Sequence, residues 1–154
     1  MSAKEWITRL QLQKHPEGGW FSETFRDERY INNGSHNAST AIYFLLEQGE
    51  PSRLHRIASA EMWHFYAGAP LLVHQLDQQG HSIHTLGSDW ENGARFQAVV
   101  PAQAWFGAET LGEYSLVGCT VAPGFTFSEF ELGTREELEN IFPQHRDIVY
   151  RLTS

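Results

Sequence analysis

Along most of the chain, apolar and polar residues follow the period of a strand rather than that of a helix. Short runs that are apolar or alternate strictly occur at about 20–27, 39–47, 53–58, 61–66, 70–77, 81–86, 95–100, 104–109, 114–122 and 125–132. Side chains on a strand alternate between its two faces, so such runs read as half-buried or fully buried strands. Turn signals separate them, among them Asn33-Gly34, Gly68-Ala69-Pro70, Gln79-Gly80, Asn92-Gly93 and Pro123-Gly124. Many short strands at close spacing predict a sandwich or a barrel.

Helical spacing is confined to the two ends. Ser2-Ala3-Lys4-Glu5 has the pattern of a capping box, followed by a stripe of Trp6, Ile7 and Leu10. Thr134-Arg135-Glu136-Glu137 repeats the pattern before Leu138, Ile141 and Phe142, and Pro143 opens a turn that carries Ile148, Val149 and Leu152. No charge run, repeat or low-complexity tract divides the 154 residues, so residues 1–154 are read as a single domain.

Charge narrows the choice of partner. Eleven basic residues face nineteen acidic ones, giving a formal charge of −8. A duplex nucleic-acid binder needs a basic face to displace counterions, and anionic lipid needs the same, so neither partner is expected. The longest apolar run, Ala41 to Leu46, is far short of the ~20 residues that span a bilayer. Cys119 is the only cysteine, so no disulfide forms within the chain; the reading is a cytoplasmic protein with a buried, inert thiol.

Candidate chemistry concentrates in Ser52 to Gly68. On a strand His55 and Ile57 share one face, and Glu61, Trp63 and Phe65 share a face of the next. Paired as a hairpin, these strands point His55 and Glu61 into one apolar cavity. An imidazole and a carboxyl group there can exchange protons with a ligand, hold a metal or fix a polar molecule. A satisfied structural pair is the plainer alternative. Arg53 lies on the His55 face and is a candidate ligand contact. Phe21, Trp63, Gln103 and Trp105 are further candidates, the aromatics as stacking surfaces.

The spacing His55, Ile57, Glu61, Gly68 resembles the first motif of the cupin superfamily, His-x-His, three or four residues, Glu, six residues, Gly. The run Val99 to Phe106 resembles the second, Pro-x-Gly-x-x-His. His15-Pro16-Glu17-Gly18-Gly19, Ser52 to Arg56, Glu61 to Trp63 and Pro123 to Leu132 are similar to segments of one subfamily, cupin-5, a domain of unknown function. The resemblance implies an all-β fold, a double-stranded β-helix (the RmlC-like jelly-roll barrel) with short N- and C-terminal helices. It also implies a small-molecule ligand in the barrel and a homodimer, for which Trp20 to Arg26 is the expected contact.

Metal-binding cupins use two histidines and the glutamate of the first motif and the histidine of the second. Here only His55 and Glu61 match; Ile57 and Phe106 occupy the other positions, so no metal cofactor is expected. The sugar-nucleotide epimerases of the superfamily work without a metal, pairing a histidine base with an acid, commonly tyrosine. The resulting expectation is metal-independent isomerisation or epimerisation of a small polar, sugar- or nucleotide-like molecule, with His55 as base and Glu61 beside it. The alternatives are a non-catalytic binding module and a metal-dependent cupin enzyme.

Overall fold

The computed structural model describes residues 1–154. Helix α1 (Ala3–Arg9) leads into β1 (Gln13–Lys14) and β2 (Trp20–Arg26). A small hairpin, β3 (Tyr30–Ile31) and β4 (His36–Asn37), precedes β5 (Thr40–Glu47), β6 (Ser52–Arg56), β7 (Ala60–Gly68), β8 (Leu71–Asp77) and β9 (Gly80–Leu86). Strands β10 (Gln97–Val100), β11 (Trp105–Thr110), β12 (Tyr114–Ala122) and β13 (Glu131–Leu132) follow, and the chain closes with α2 (Arg135–Ile141) and α3 (Arg146–Arg151). One sheet has the order β1-β2-β5-β12-β7-β10 and the other β13-β6-β11-β8-β9. The inner faces of the two sheets, with Phe44, Trp63, Val73, Phe106 and Val117 at less than 2% exposure, make the core of an all-β jelly roll.

The end helices form as their caps predict. The Ser2 hydroxyl accepts from the Glu5 amide at 3.2 Å while the Glu5 carboxylate accepts from the Ser2 amide at 2.7 Å. Thr134 accepts from the Glu137 amide at 3.2 Å, but the Glu137 carboxylate does not reach back to the Thr134 amide, so this end carries half of the predicted box. Leu138, Phe142, Ile148, Val149 and Leu152 then bury against Leu54, Leu76 and Trp105 on the second sheet. Ile141 departs from the predicted stripe and stays half exposed.

Residues 125–132 depart most from the strand pattern. They form a single 3-10 turn at Phe127–Glu129 followed by the two-residue β13. On a strand Phe125 and Phe127 would share a face and Phe130 would oppose them. The turn instead gathers all three rings, with centroids 4.9 Å apart for Phe125–Phe127 and 6.0 Å for Phe127–Phe130. Together the rings roof one end of the barrel.

The loop from His15 to Gly19 is folded against the start of β6. Gly18 and Gly19 have φ of +109° and +82°, a region open to glycine without steric cost. A Cβ on Gly18 would meet the carbonyl oxygen of Pro51, which is backbone and cannot move aside. Gly34 also has positive φ, +84°, but open space around it. Gly34→Ala should therefore cost only the left-handed backbone, about 1 kcal/mol, and Gly18→Ala at least about 2 kcal/mol, as read by urea unfolding. Equal losses for the two variants would show that the loop does not depend on this close approach.

Candidate functional site

Between the sheets, under the phenylalanine roof, lies a cup of about 70 Å³. Strand β6 supplies His55, the first residues of β7 supply Glu61, β12 supplies Cys119, and the His15–Gly19 loop supplies His15 and Glu17. The strand positions follow from alternation: Leu54 and Arg56 turn away from the cup as His55 turns in. His55, Glu61 and Glu17 are 3%, 8% and 5% exposed, so three ionisable side chains share a nearly dry space.

The His55 ring is fixed from two sides. Its Nδ1 lies 2.7 Å from the carbonyl oxygen of Arg53 and 2.6 Å from Glu17 Oε2. A carbonyl can only accept, so Nδ1 carries the proton and donates it to Arg53. The Glu17 oxygen lies beside that bond as a counter-charge, and Oε2 receives no aligned donor of its own. Phe106, at 4.1 Å between ring centroids, and Phe130, at 5.4 Å, clamp the imidazole. Nε2 has no hydrogen-bond partner in the chain and is left for a ligand.

Burial and charge drive the titrating groups apart. Burial opposes the charged form of His55, but Glu17, the Arg53 carbonyl and Glu61, in that order, together outweigh it, and the imidazole is held above its usual range. Glu17 is held below its usual range against its own burial by the same contact. His15 goes the opposite way. Burial lowers it, and its Nδ1 accepts from the Glu17 amide at 3.1 Å, as a neutral ring does. Glu61 is pushed up to about 7, first by burial and then by the Glu17 charge. Burial, followed by Glu61, raises the Cys119 thiol well above its ordinary value.

Of the residues singled out from the sequence, His55, Glu61 and Phe21 line the cup. Arg53 does not. Its guanidinium reaches back to the carbonyls of Pro16, at 2.7 Å, and Glu17, at 3.2 Å, and so fastens the loop that carries Glu17. Trp63 is core, packed between Phe44 and Phe106 at 6.0 and 6.2 Å. Gln103 and Trp105 line a separate cleft near the end of α2. Tyr43, Tyr66 and Tyr114 do not reach the cup, so no tyrosine stands opposite His55. His15 and Glu17 join the site although their residue types alone do not mark them. Two ionisable residues shortly before a glycine pair, in a loop pressed inward, are the available signal.

A cupin-type metal does not fit this donor set. Ile57 and Phe106 fill two of the usual ligand positions, and the Phe106 ring packs against His55 at a tilt of 51°. No three His, Cys, Asp or Glu side chains converge as metal ligands.

A likeness to known proteins runs the length of the chain. A protein from Shewanella oneidensis of solved structure is 38% identical, with a TM-score of 0.95 over 100% of this chain and 98% of that one. A hypothetical protein from Leishmania major is 36% identical, with a TM-score of 0.93 over 99% of each chain. An uncharacterized protein of Saccharomyces cerevisiae is 29% identical over 91% of this chain and 80% of its own length. Oxalate decarboxylase from Bacillus subtilis, at 15% identity and a TM-score of 0.59, shares the fold alone. No helix is long and apolar enough to cross a membrane. The family model for the cupin superfamily domain of unknown function 985 matches residues 4–133, and the chain belongs to that family, Cupin_5.

Proposed function

We propose that the cup binds the reacting end of a small polar molecule and moves a proton on it without a metal, as an isomerase or epimerase does. The observation that carries this reading is the pairing of His55, with Nε2 free and its basicity increased by Glu17, with Glu61, a carboxyl group that changes protonation near pH 7. A base and an acid in one dry space are what abstraction and return of a proton next to a carbonyl require. In the resting pair the shared proton sits on His55. In the reactive form it moves to Glu61, which leaves the His55 Nε2 bare to take a proton from the ligand, and Glu61 fills the place that tyrosine holds in the epimerases. The two groups titrate as a pair, and the active form holds one proton between them. A volume of about 70 Å³ admits only a few non-hydrogen atoms, so the rest of a larger substrate would lie beyond the phenylalanine roof.

Solvent exchange tests the chemistry without knowledge of the natural substrate. Incubated in D₂O with small α-hydroxy aldehydes and ketones such as glyceraldehyde and dihydroxyacetone, the protein should wash deuterium into the carbon next to the carbonyl. His55→Gln should slow that exchange by about 10²-fold or more, as followed by proton NMR. Exchange by the variant at the wild-type rate would remove His55 as the base. No exchange with wild-type protein, together with a small molecule retained through native mass spectrometry, would leave a binding module.

The same electrostatics predict how stability depends on pH. Glu61 binds its proton more tightly folded than unfolded, so its contribution is fully present below about pH 4.5 and is lost as pH rises through about 7. Raising a carboxyl group from 4.5 to about 7 on folding makes that loss about 3 kcal/mol. His55, also raised, adds a loss of the same sign as pH rises through its folded value. The Glu17 contribution, present above about 4.5, is lost as pH falls. Glu61→Gln should therefore flatten the decline in urea stability between about pH 5 and pH 8 and exceed the wild type at the alkaline end. An unchanged slope would mean that Glu61 titrates normally.

A further inference from the structure

A second concavity, sharing no lining residue with the cup, lies at the turn end of the β8–β9 hairpin. The loop 101–104 and the end of α2 close its sides, and its volume is about 960 Å³. Side-chain amides dominate its polar groups, with Gln75, Gln103 and Gln144 on three separate walls. Ile141, Pro101 and Pro143 add exposed apolar surface.

The charges in the cleft are already taken. Arg56 is bound to Glu131 at 2.5 and 3.4 Å and lies over Trp105. Asp77 accepts from the Gln75 amide at 2.7 Å and from the Gln79 backbone at 2.9 Å. Gln75 is held further by His84, at 2.9 Å from its Oε1, so its amide is fixed before any ligand arrives. The Gln103 and Gln144 side-chain amides make no hydrogen bond within the chain.

Gln103 also sits where the backbone does not want it. Pro101 to Ala104 form a turn closed by the Ala104 amide on the Pro101 carbonyl at 3.4 Å, and Gln103 is its third residue, with φ of +69°. A glycine adopts that conformation freely and glutamine does not. The fold gains no side-chain hydrogen bond from the glutamine, and strain of this kind is found clustered at functional sites.

We propose that this cleft is a second binding site, for an uncharged polyhydroxylated ligand such as a short saccharide, with Gln103 and Gln144 reading its hydroxyls. Amides donate and accept, as hydroxyls do, and the neighbouring apolar patches match the C–H faces of a sugar ring. Saturation-transfer NMR with glucose, maltotriose and cellotriose at millimolar concentration tests the assignment on the whole chain. Transfer to at least one of them is expected, and Gln103→Gly should weaken it about tenfold or more while melting at or above the wild-type temperature. Should Gln103→Gly melt lower, Gln144→Ala decides, and the same weakening supports the site. No transfer to any of the three sugars would overturn the proposal. Undiminished transfer would do the same, in Gln103→Gly or, where that variant melts lower, in Gln144→Ala.

Discussion

A charged imidazole–carboxylate contact inside an apolar barrel is the constraint around which the functional end of this protein is arranged. Removing two charges from water costs several kcal/mol each unless they meet closely and their remaining polar atoms are served. His55 and Glu17 meet at 2.6 Å, and the Arg53 carbonyl serves the imidazole proton. Glu17 arrives from a loop rather than from the barrel wall, so the loop must be pressed inward. Gly18 and Gly19 permit that approach, and the Arg53 guanidinium and amide hold it through the Pro16 and Glu17 carbonyls. Each of these residues is explained by the contact it makes possible.

The same contact sets the proton chemistry nearby. The Glu17 charge raises His55 and also Glu61, while burial sends His15 the other way. Two histidines and two glutamates within one cup thus occupy different protonation states because of where they sit, not because of what they are. The superfamily fold supplies only the cup. Where the resemblance places two metal ligands of other cupins this chain has Ile57 and Phe106, and Phe106 with Phe130 clamps a single imidazole.

Much of the architecture is legible in the sequence, since strand alternation and turn residues are local signals. The placing of His55 and Glu61 in one cup follows from alternation along β6 and β7. Residues 125–130 mislead because Phe125 and Phe127 alternate with polar residues in a turn as they would in a strand. Arg53 looks like a ligand contact because alternation gives a face but not the length and reach of a side chain. Its guanidinium folds back over the loop carbonyls. Glu17 escapes notice because its role depends on a backbone approach between residues far apart in sequence, and only the neighbouring glycines hint at it. Gln103 lies in the turn before β11 and Trp105 at the start of that strand, and the pattern of residues does not show that both face a cleft outside the cup.

The central claim is that His55 is a buried imidazolium paired with Glu17, sharing the cup with a carboxyl group poised near neutrality. Nitrogen-15 NMR of the histidine rings across about pH 5 to 9 reads this directly, because protonated and neutral ring nitrogens resonate far apart. The account predicts that in the resting protein His55 keeps both ring protons above the pH at which an ordinary histidine loses one, about 6.5, and that His15 loses its second proton below that pH. A His55 ring already neutral at about pH 6 would contradict it.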